Sequence, residues 1–120
     1  MTITEEKKAL RKALIQRRKD IPADKKAQAD LRIFESLKLL LEKCSSVFTY
    51  VSTEIEVDTR MLLDWCFENG KPVASPVSGD HELTFYPLHS MQDLAAGRFG
   101  IMEPVNRTAP AIPDEDSLCI

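Results

Sequence analysis

Two carboxylates stand where an α/β chain tends to meet its ligand. Glu54 and Glu56 lie in a short polar loop after a β-prone run, Val47-Phe48-Thr49-Tyr50-Val51. A helix start follows, with Asp58 or Thr59 as the cap and Met61-Leu62-Leu63 as the first buried face. Loops at the carboxyl ends of strands in such sheets tend to carry the binding residues. Glu56 could accept hydrogen bonds from the amino and amide N–H groups of a bound ring, and a desolvated carboxylate needs such donors. The alternative is a pair of solvated loop glutamates. A second pair is cationic. Lys7 and Arg11 are four residues apart and share one face of a helix, where a lysine offers phosphate a point charge and an arginine a fork. The alternative there is an exposed amphipathic helix. Tyr50, Phe85 and Tyr86 could stack on a flat heterocycle, although aromatic residues in strands more often serve the core. Phe99-Gly100-Ile101-Met102-Glu103-Pro104 sets a glycine among large apolar residues, which suggests a special backbone angle or a close approach. Its apolar neighbours could line a pocket or merely pin the loop. His81 and His89 sit beside turns, with no acid or cysteine at ligand spacing, and read as surface residues. No phosphate-cradling glycine loop, G-x-S-x-G or zinc pattern occurs. Four glycines, Gly70, Gly79, Gly97 and Gly100, cannot build a glycine-rich nucleotide loop.

The elements that must position these residues follow from periodicity. Thr4 can cap a first helix running to Lys19, with Glu5 and Glu6 in its first turn and Leu10, Ala13 and Leu14 as a narrow apolar stripe. Ile21-Pro22 ends it. A second helix spans about Asp24 to Lys43, where Ala27, Leu31, Phe34, Leu37, Leu40 and Leu41 recur as a core-facing side. After the strand and the two glutamates, a third helix runs from about Thr59 to Glu68. It turns Leu62, Leu63, Cys66 and Phe67 or Trp65 inward and stops at Asn69-Gly70. Lys71 to Pro76 is β-like, Ser78-Gly79-Asp80 is a turn, and Leu83 to Leu88 alternates as a strand. Ser90 caps a short helix through Leu94. Gly97 to Pro113 reads as an extended surface loop, long enough to suggest a function. Ser117 to Ile120 begins another buried strand. Strands alternating with helices predict an α/β fold with a largely parallel central sheet.

Composition agrees with one globular domain over residues 1–120, at 43% hydrophobic and 29% charged residues. No stretch approaches the length needed to span a membrane, and the charged N-terminus is no secretory signal. Cys44, Cys66 and Cys119 are odd in number and widely spaced, so a disulfide framework or zinc site is not expected and a reducing cytoplasm is the simplest compartment. The net charge of −3 is unevenly spread. Residues 1–43 hold 12 Lys+Arg against 7 Asp+Glu, and the remainder holds 4 against 12. A basic first third can bind polyanions, or it can be two solvated helix surfaces with interleaved acids. A nucleic-acid reader ranks last, because aromatic interleaving and a recognisable motif are lacking.

Taken in order, several pieces resemble the N-terminal portion of the 5-formyltetrahydrofolate cyclo-ligase family, also called methenyltetrahydrofolate synthetases. They are Lys7-Lys8-Ala9-Leu10-Arg11, then Tyr50-Val51-Ser52 followed by Glu56-Val57-Asp58-Thr59, then Gly70-Lys71-Pro72-Val73 with Pro76, and then Phe99-Gly100-Ile101-Met102-Glu103-Pro104. The resemblance implies a three-layer Rossmann-like sandwich, truncated here at its C-terminal part. It implies an ATP-dependent closure of 5-formyltetrahydrofolate to 5,10-methenyltetrahydrofolate, with Mg2+. It places Lys7, Lys8, Ala9, Leu10 and Arg11 on the ATP phosphates. It places Val51 and Glu56 on the folate, Glu56 at the pterin, with Tyr50, Phe99, Ile101 and Met102 bordering that pocket. Family members continue past a segment like Asp116 to Ile120 into a glycine-rich, basic stretch that supplies most of the ATP loop and the magnesium carboxylate. The expectation is therefore a chain that does not turn over alone. The complete protein is expected to be a monomer without nucleic-acid or membrane partners, while the fragment can associate. The alternative is a non-catalytic module that binds folate or nucleotide.

Overall fold

The computed structural model describes residues 2–79, 81–97 and 100–120. The chain enters helix α1, Ile3–Lys19, through a capping box. Thr2 Oγ1 accepts from Glu5 N at 3.2 Å, and the Glu5 carboxylate accepts from Thr2 N at 3.2 Å. The cap is therefore Thr2 and not Thr4, because only a residue three before a glutamate can share this reciprocal pair. After Ile21-Pro22 comes α2, Ala23–Lys43. Neither helix buries the face its leucines suggest. No residue of α1 is buried, and Leu10 and Leu14 stay exposed. On α2 only Leu41 is fully buried, with Phe34 and Leu37 packed beside the core, while Ala27, Leu31 and Leu40 are exposed. The stripe that meets the sheet is narrow, Asp30-Phe34-Leu37-Leu41, at alternating steps of four and three. Leu31 and Leu40 lie to either side of it, roughly 60° or more away at 100° per residue.

Strand β1, Ser46–Phe48, leads through a loop to α3, Arg60–Glu68, and then to β2, Val73–Ser78. This unit is a parallel crossover, with Val47 beside Val73. β3, Leu83–Leu88, returns antiparallel over six pairs from Val73–Leu88 to Ser78–Leu83. Strand β6, Ser117–Cys119, lies parallel on the other side of β1, with Leu118 beside Val47. The sheet order is β3-β2-β1-β6, a largely parallel sheet with one antiparallel edge. The run predicted as strand through Val51 leaves the ladder sooner. Thr49 N still donates to Ala74 O at 3.0 Å, and Tyr50 begins the loop. The turn after β2 is closed by Gly79 N donating to Glu82 O at 2.8 Å, and its Asp80 lies outside the described residues.

The segment expected as one long surface loop is partly a hairpin. A single 3-10 turn, Met91–Asp93, capped by Ser90 as expected, feeds β4, Leu94–Ala96. That strand pairs antiparallel with β5, Met102–Pro104. Three-residue strands are too short to show a period of two, which is why alternation misses them. The core gathers Leu41, Val47, Val51, Leu62, Leu63, Cys66, Val73, Leu88 and Leu94, and both Trp65 and Phe67 pack against it. Successive strand residues face opposite sides. Phe48 accordingly points away from this cluster and meets Phe85 edge to face, with ring centroids 5.3 Å apart. α3 ends as predicted, with Gly70 at φ 66°, a backbone angle that favours glycine. Among the described residues, no helix is long and apolar enough to cross a membrane.

Candidate functional site

At the carboxyl end of β1 the chain folds back on itself, and side chains within residues 50–60 close the loop. Ser52 N donates to Thr59 Oγ1 at 2.9 Å, Thr59 N donates to Ser52 Oγ at 3.0 Å, and Thr59 Oγ1 donates to Tyr50 O at 2.9 Å. Ser52 and Thr59 are buried, so this is a desolvated latch. The Tyr50 hydroxyl donates to Val57 O at 3.1 Å. Asp58 Oδ1 accepts from Arg60 N at 2.8 Å and does the capping at the start of α3, although Thr59 holds the cap position. Glu56 is half-buried. Its Oε1 accepts from both Thr53 N and Thr53 Oγ1 at 2.9 Å. Among the described residues, Oε2 makes no hydrogen bond. One oxygen fixes the side chain and the other remains available as an acceptor.

Glu56 borders a cavity of about 400 Å³ between the end of α1, the first half of α2 and this loop. Arg18, Lys25 and Lys26 supply cations to its lining, Ile21, Ile33 and Ile55 supply apolar wall, and Asp30 and Tyr50 complete the polar side with Glu56. Asp30 is 6% exposed and ion-paired to Lys26 Nζ at 2.5 Å, one helical turn before it. Burial, and then the carboxylates of Glu56, Asp30 and Asp58, push the Tyr50 phenol above its ordinary value, so it keeps its proton and remains a donor. The arrangement is acceptor-rich beside Glu56 and cationic along the helices. It suits a polar ring with N–H donors and a nearby anion. Glu54 is exposed and borders a separate polar hollow of about 370 Å³ with Asp58, Lys26 and Arg60.

Lys7 and Arg11 do share a face. With Leu10, Leu14, Ile15 and Arg18 they line a groove of about 270 Å³ along α1. Lys8 and Ala9 are exposed and lie outside it. Arg18 borders both this groove and the Glu56 cavity.

The 5-formyltetrahydrofolate cyclo-ligase family profile matches residues 3–118. The chain belongs to that family. No curated protein matches it. Among solved structures it is similar to the NMR structure of Aquifex aeolicus 5,10-methenyltetrahydrofolate synthetase, at 28% identity and a TM-score of 0.76. The similarity covers 94% of this chain and 58% of that one, so the chain spans less than two thirds of that relative's length.

Of the other residues expected at a cyclo-ligase folate pocket, Tyr50 lines the Glu56 cavity, whereas Val51, Ile101 and Met102 do not. The Val51 side chain is 3% exposed within the core. Met102 packs against that core from β5, Ile101 is exposed, and Phe99 lies outside the described residues. Of the two alternatives anticipated for Gly100, the special backbone angle occurs, at φ 71°, and the close approach does not, since a Cβ there would meet nothing within 4 Å among the described residues. The close approach is instead at Gly97, before that segment, where a Cβ would lie 1.7 Å from Glu103 Oε1. Glu103 is 8% exposed. His81 and His89 are exposed, as expected. Among the described residues, no group of three or more His, Cys, Asp or Glu could hold a metal ion. These residues do not fit a magnesium site.

Asp30 and Arg18 escaped the sequence reading. A signal existed for Asp30, a carboxylate lying on the same stripe as Phe34, Leu37 and Leu41. Nothing separated Arg18 from Arg17 and Lys19 in a run of three cations. A larger cavity, about 550 Å³, opens at the opposite ends of the parallel strands, beside Ser46, Lys71, His89 and Asp114. Its charged groups are already occupied with structure. Lys71 Nζ donates to the carbonyls of Glu42 and Cys44, and Asp114 accepts from Ser45 Oγ at 2.7 Å and from Asp116 N at 2.8 Å. Sheets of this kind bind at the carboxyl ends of their strands, which favours the Glu56 cavity.

Proposed function

We propose that this chain supplies the folate-contacting and part of the phosphate-contacting surface of an ATP-dependent enzyme that closes 5-formyltetrahydrofolate to 5,10-methenyltetrahydrofolate. One observation carries the proposal beyond family membership. Glu56 is held by Thr53 through one oxygen, lines a cavity, and keeps its second oxygen as an acceptor. In that role it takes hydrogen bonds from the N–H groups of the pterin, with Tyr50 beside it in the same cavity. Lys7 and Arg11, within the segment Lys7-Lys8-Ala9-Leu10-Arg11, contact the ATP phosphates, and magnesium arrives with the nucleotide.

The formyl oxygen attacks the γ-phosphorus, the bond from that phosphorus to the β,γ-bridging oxygen breaks, and its electron pair leaves on ADP. N10 then attacks the activated carbon and gives up its proton. The C–O bond breaks and phosphate leaves with that electron pair, giving the methenyl product. Catalysis of such a transfer is mainly positioning and charge stabilisation. The chain's four glycines do not furnish a phosphate loop, so we expect it to bind without turning over alone. The competing proposal is a non-catalytic binding module.

Titration with 5-formyltetrahydrofolate and with magnesium ATP tests the assignment. Glu56→Gln should weaken folate binding by about tenfold or more, the range for a charge-assisted hydrogen bond, without changing the melting temperature. Lys7→Ala or Arg11→Ala should weaken ATP binding by about tenfold and spare the folate. An unchanged folate affinity in Glu56→Gln would remove the pterin role. Rapid formation of the methenyl product by the chain alone would refute the expected lack of turnover.

A further inference from the structure

The groove that carries Lys7 and Arg11 and the cavity that carries Glu56 are bordered by one common cation. We propose that Arg18 is a positioning residue at the junction of the two sites, where it holds the terminal phosphate of the nucleotide against the folate bound beside Glu56. The inference rests on the function proposed above and adds to it a residue that neither the family segment nor the Glu56 loop contains.

Helical geometry brings Arg18 into line. Eleven residues separate it from Lys7, which is three turns plus about 20° at 100° per residue, so the two side chains leave the same face of α1. Arg11 lies about 40° from Lys7 on that face. The three cations thus form one row about 16 Å long at 1.5 Å per residue, and the row ends at the mouth of the Glu56 cavity. Arg17 and Lys19, displaced by about 100° to either side, border neither hollow.

Charge accounting points the same way. The buried carboxylate of the cavity, Asp30, is already neutralised by Lys26. Among the described residues, Arg18 makes no ion pair and no side-chain hydrogen bond, so its guanidinium is free to meet an anion. A guanidinium is always protonated and presents several N–H donors in one plane. It can therefore donate to a phosphate oxygen and to a neighbouring carbonyl-type oxygen at once. Those are the two partners that the reaction must bring together, the γ-phosphate and the formyl oxygen. Lys25 borders the cavity but not the groove, so it cannot serve both.

The distinguishing consequence is a loss for both ligands. The probes are 5-formyltetrahydrofolate and the β,γ-imido analogue of ATP with magnesium, titrated separately into the wild-type chain and its variants. Arg18→Gln should weaken both ligands about fivefold to tenfold, and Arg18→Lys should recover part of each loss. The neighbouring Arg17→Gln should change neither. Because no residue of α1 is buried, Arg18→Gln should leave the melting temperature unchanged, which separates a contact from a folding defect. If Arg18→Gln affects one ligand only, or neither, the junction role is overturned. Lys7→Ala and Glu56→Gln, run alongside, should each weaken their own ligand. If they do so while Arg18→Gln is silent, the proposed function stands and only the junction falls. If the wild-type chain binds neither probe, both fall together.

Discussion

Glu56 gains its definition from Thr53, three residues earlier. A loop glutamate with free rotamers would lose entropy on meeting a ligand, whereas one already tied through Oε1 loses less. The tie is local, but the loop that presents it is closed by the buried Ser52 and Thr59 pair. Replacing Thr59 with valine keeps the shape and removes the hydroxyl. Ser52 N then loses its partner in a desolvated place, while Tyr50 O keeps only the bond from Thr49 Oγ1, at a cost of about 1–3 kcal/mol. Thermal unfolding should show that loss, and the same variant should bind 5-formyltetrahydrofolate more weakly. Full folate affinity in a destabilised Thr59→Val chain would mean that the latch serves the fold alone.

The helices differ in how they are held. α3 drives Leu62, Leu63 and Cys66 into the core, whereas α1 lies on the surface with its leucines exposed. Burial pushes the Cys66 thiol up from 9.0 to about 11, with Cys44 adding to the rise and Lys71 opposing it. The folded chain therefore holds this proton after the unfolded chain has released it. A raised value contributes stability below the unfolded value and loses it as pH rises toward the folded one. Unfolding free energy should accordingly fall between about pH 9 and 11. Denaturant titrations across that window should show the slope, and Cys66→Ala should flatten it. In the native chain at pH 8, a thiol reagent should modify the exposed Cys119 and spare Cys66.

As a whole the molecule is open. Its radius of gyration is 15.9 Å, against about 14 Å for a compact chain of this length. The excess fits a surface-lying α1 and a sheet whose outer strand, β6, is paired on one side only. Leu10, Leu14, Leu31, Leu39 and Leu40 are all between 42% and 60% exposed on α1 and α2. Apolar faces of this kind and an unpaired strand edge both favour association. Sedimentation velocity should show a weight-average mass that rises with concentration above 13.6 kDa. A single monomer boundary at every concentration would show that these faces are too polar or too scattered to hold a second copy.

The sequence by itself determined the three helices, the strand–loop–helix around Glu56, the capping of the 3-10 turn by Ser90 and the stop at Asn69-Gly70. These are local matters of hydrophobic period, cap chemistry and the steric freedom of glycine, and each is decided within a few residues. It also carried the ordered motifs by which the family is recognised. Tertiary structure alone decided which leucines of α1 and α2 meet the core, because a period shows that a helix has a face and not what lies opposite it. The same limit hid the approach of Gly97 to Glu103 and the pairing of β4 with β5, which depend on neighbours too short or too distant to leave a local pattern. It hid above all the meeting of Arg18 with the Glu56 cavity, for a cavity is formed between elements, here across some forty residues of chain.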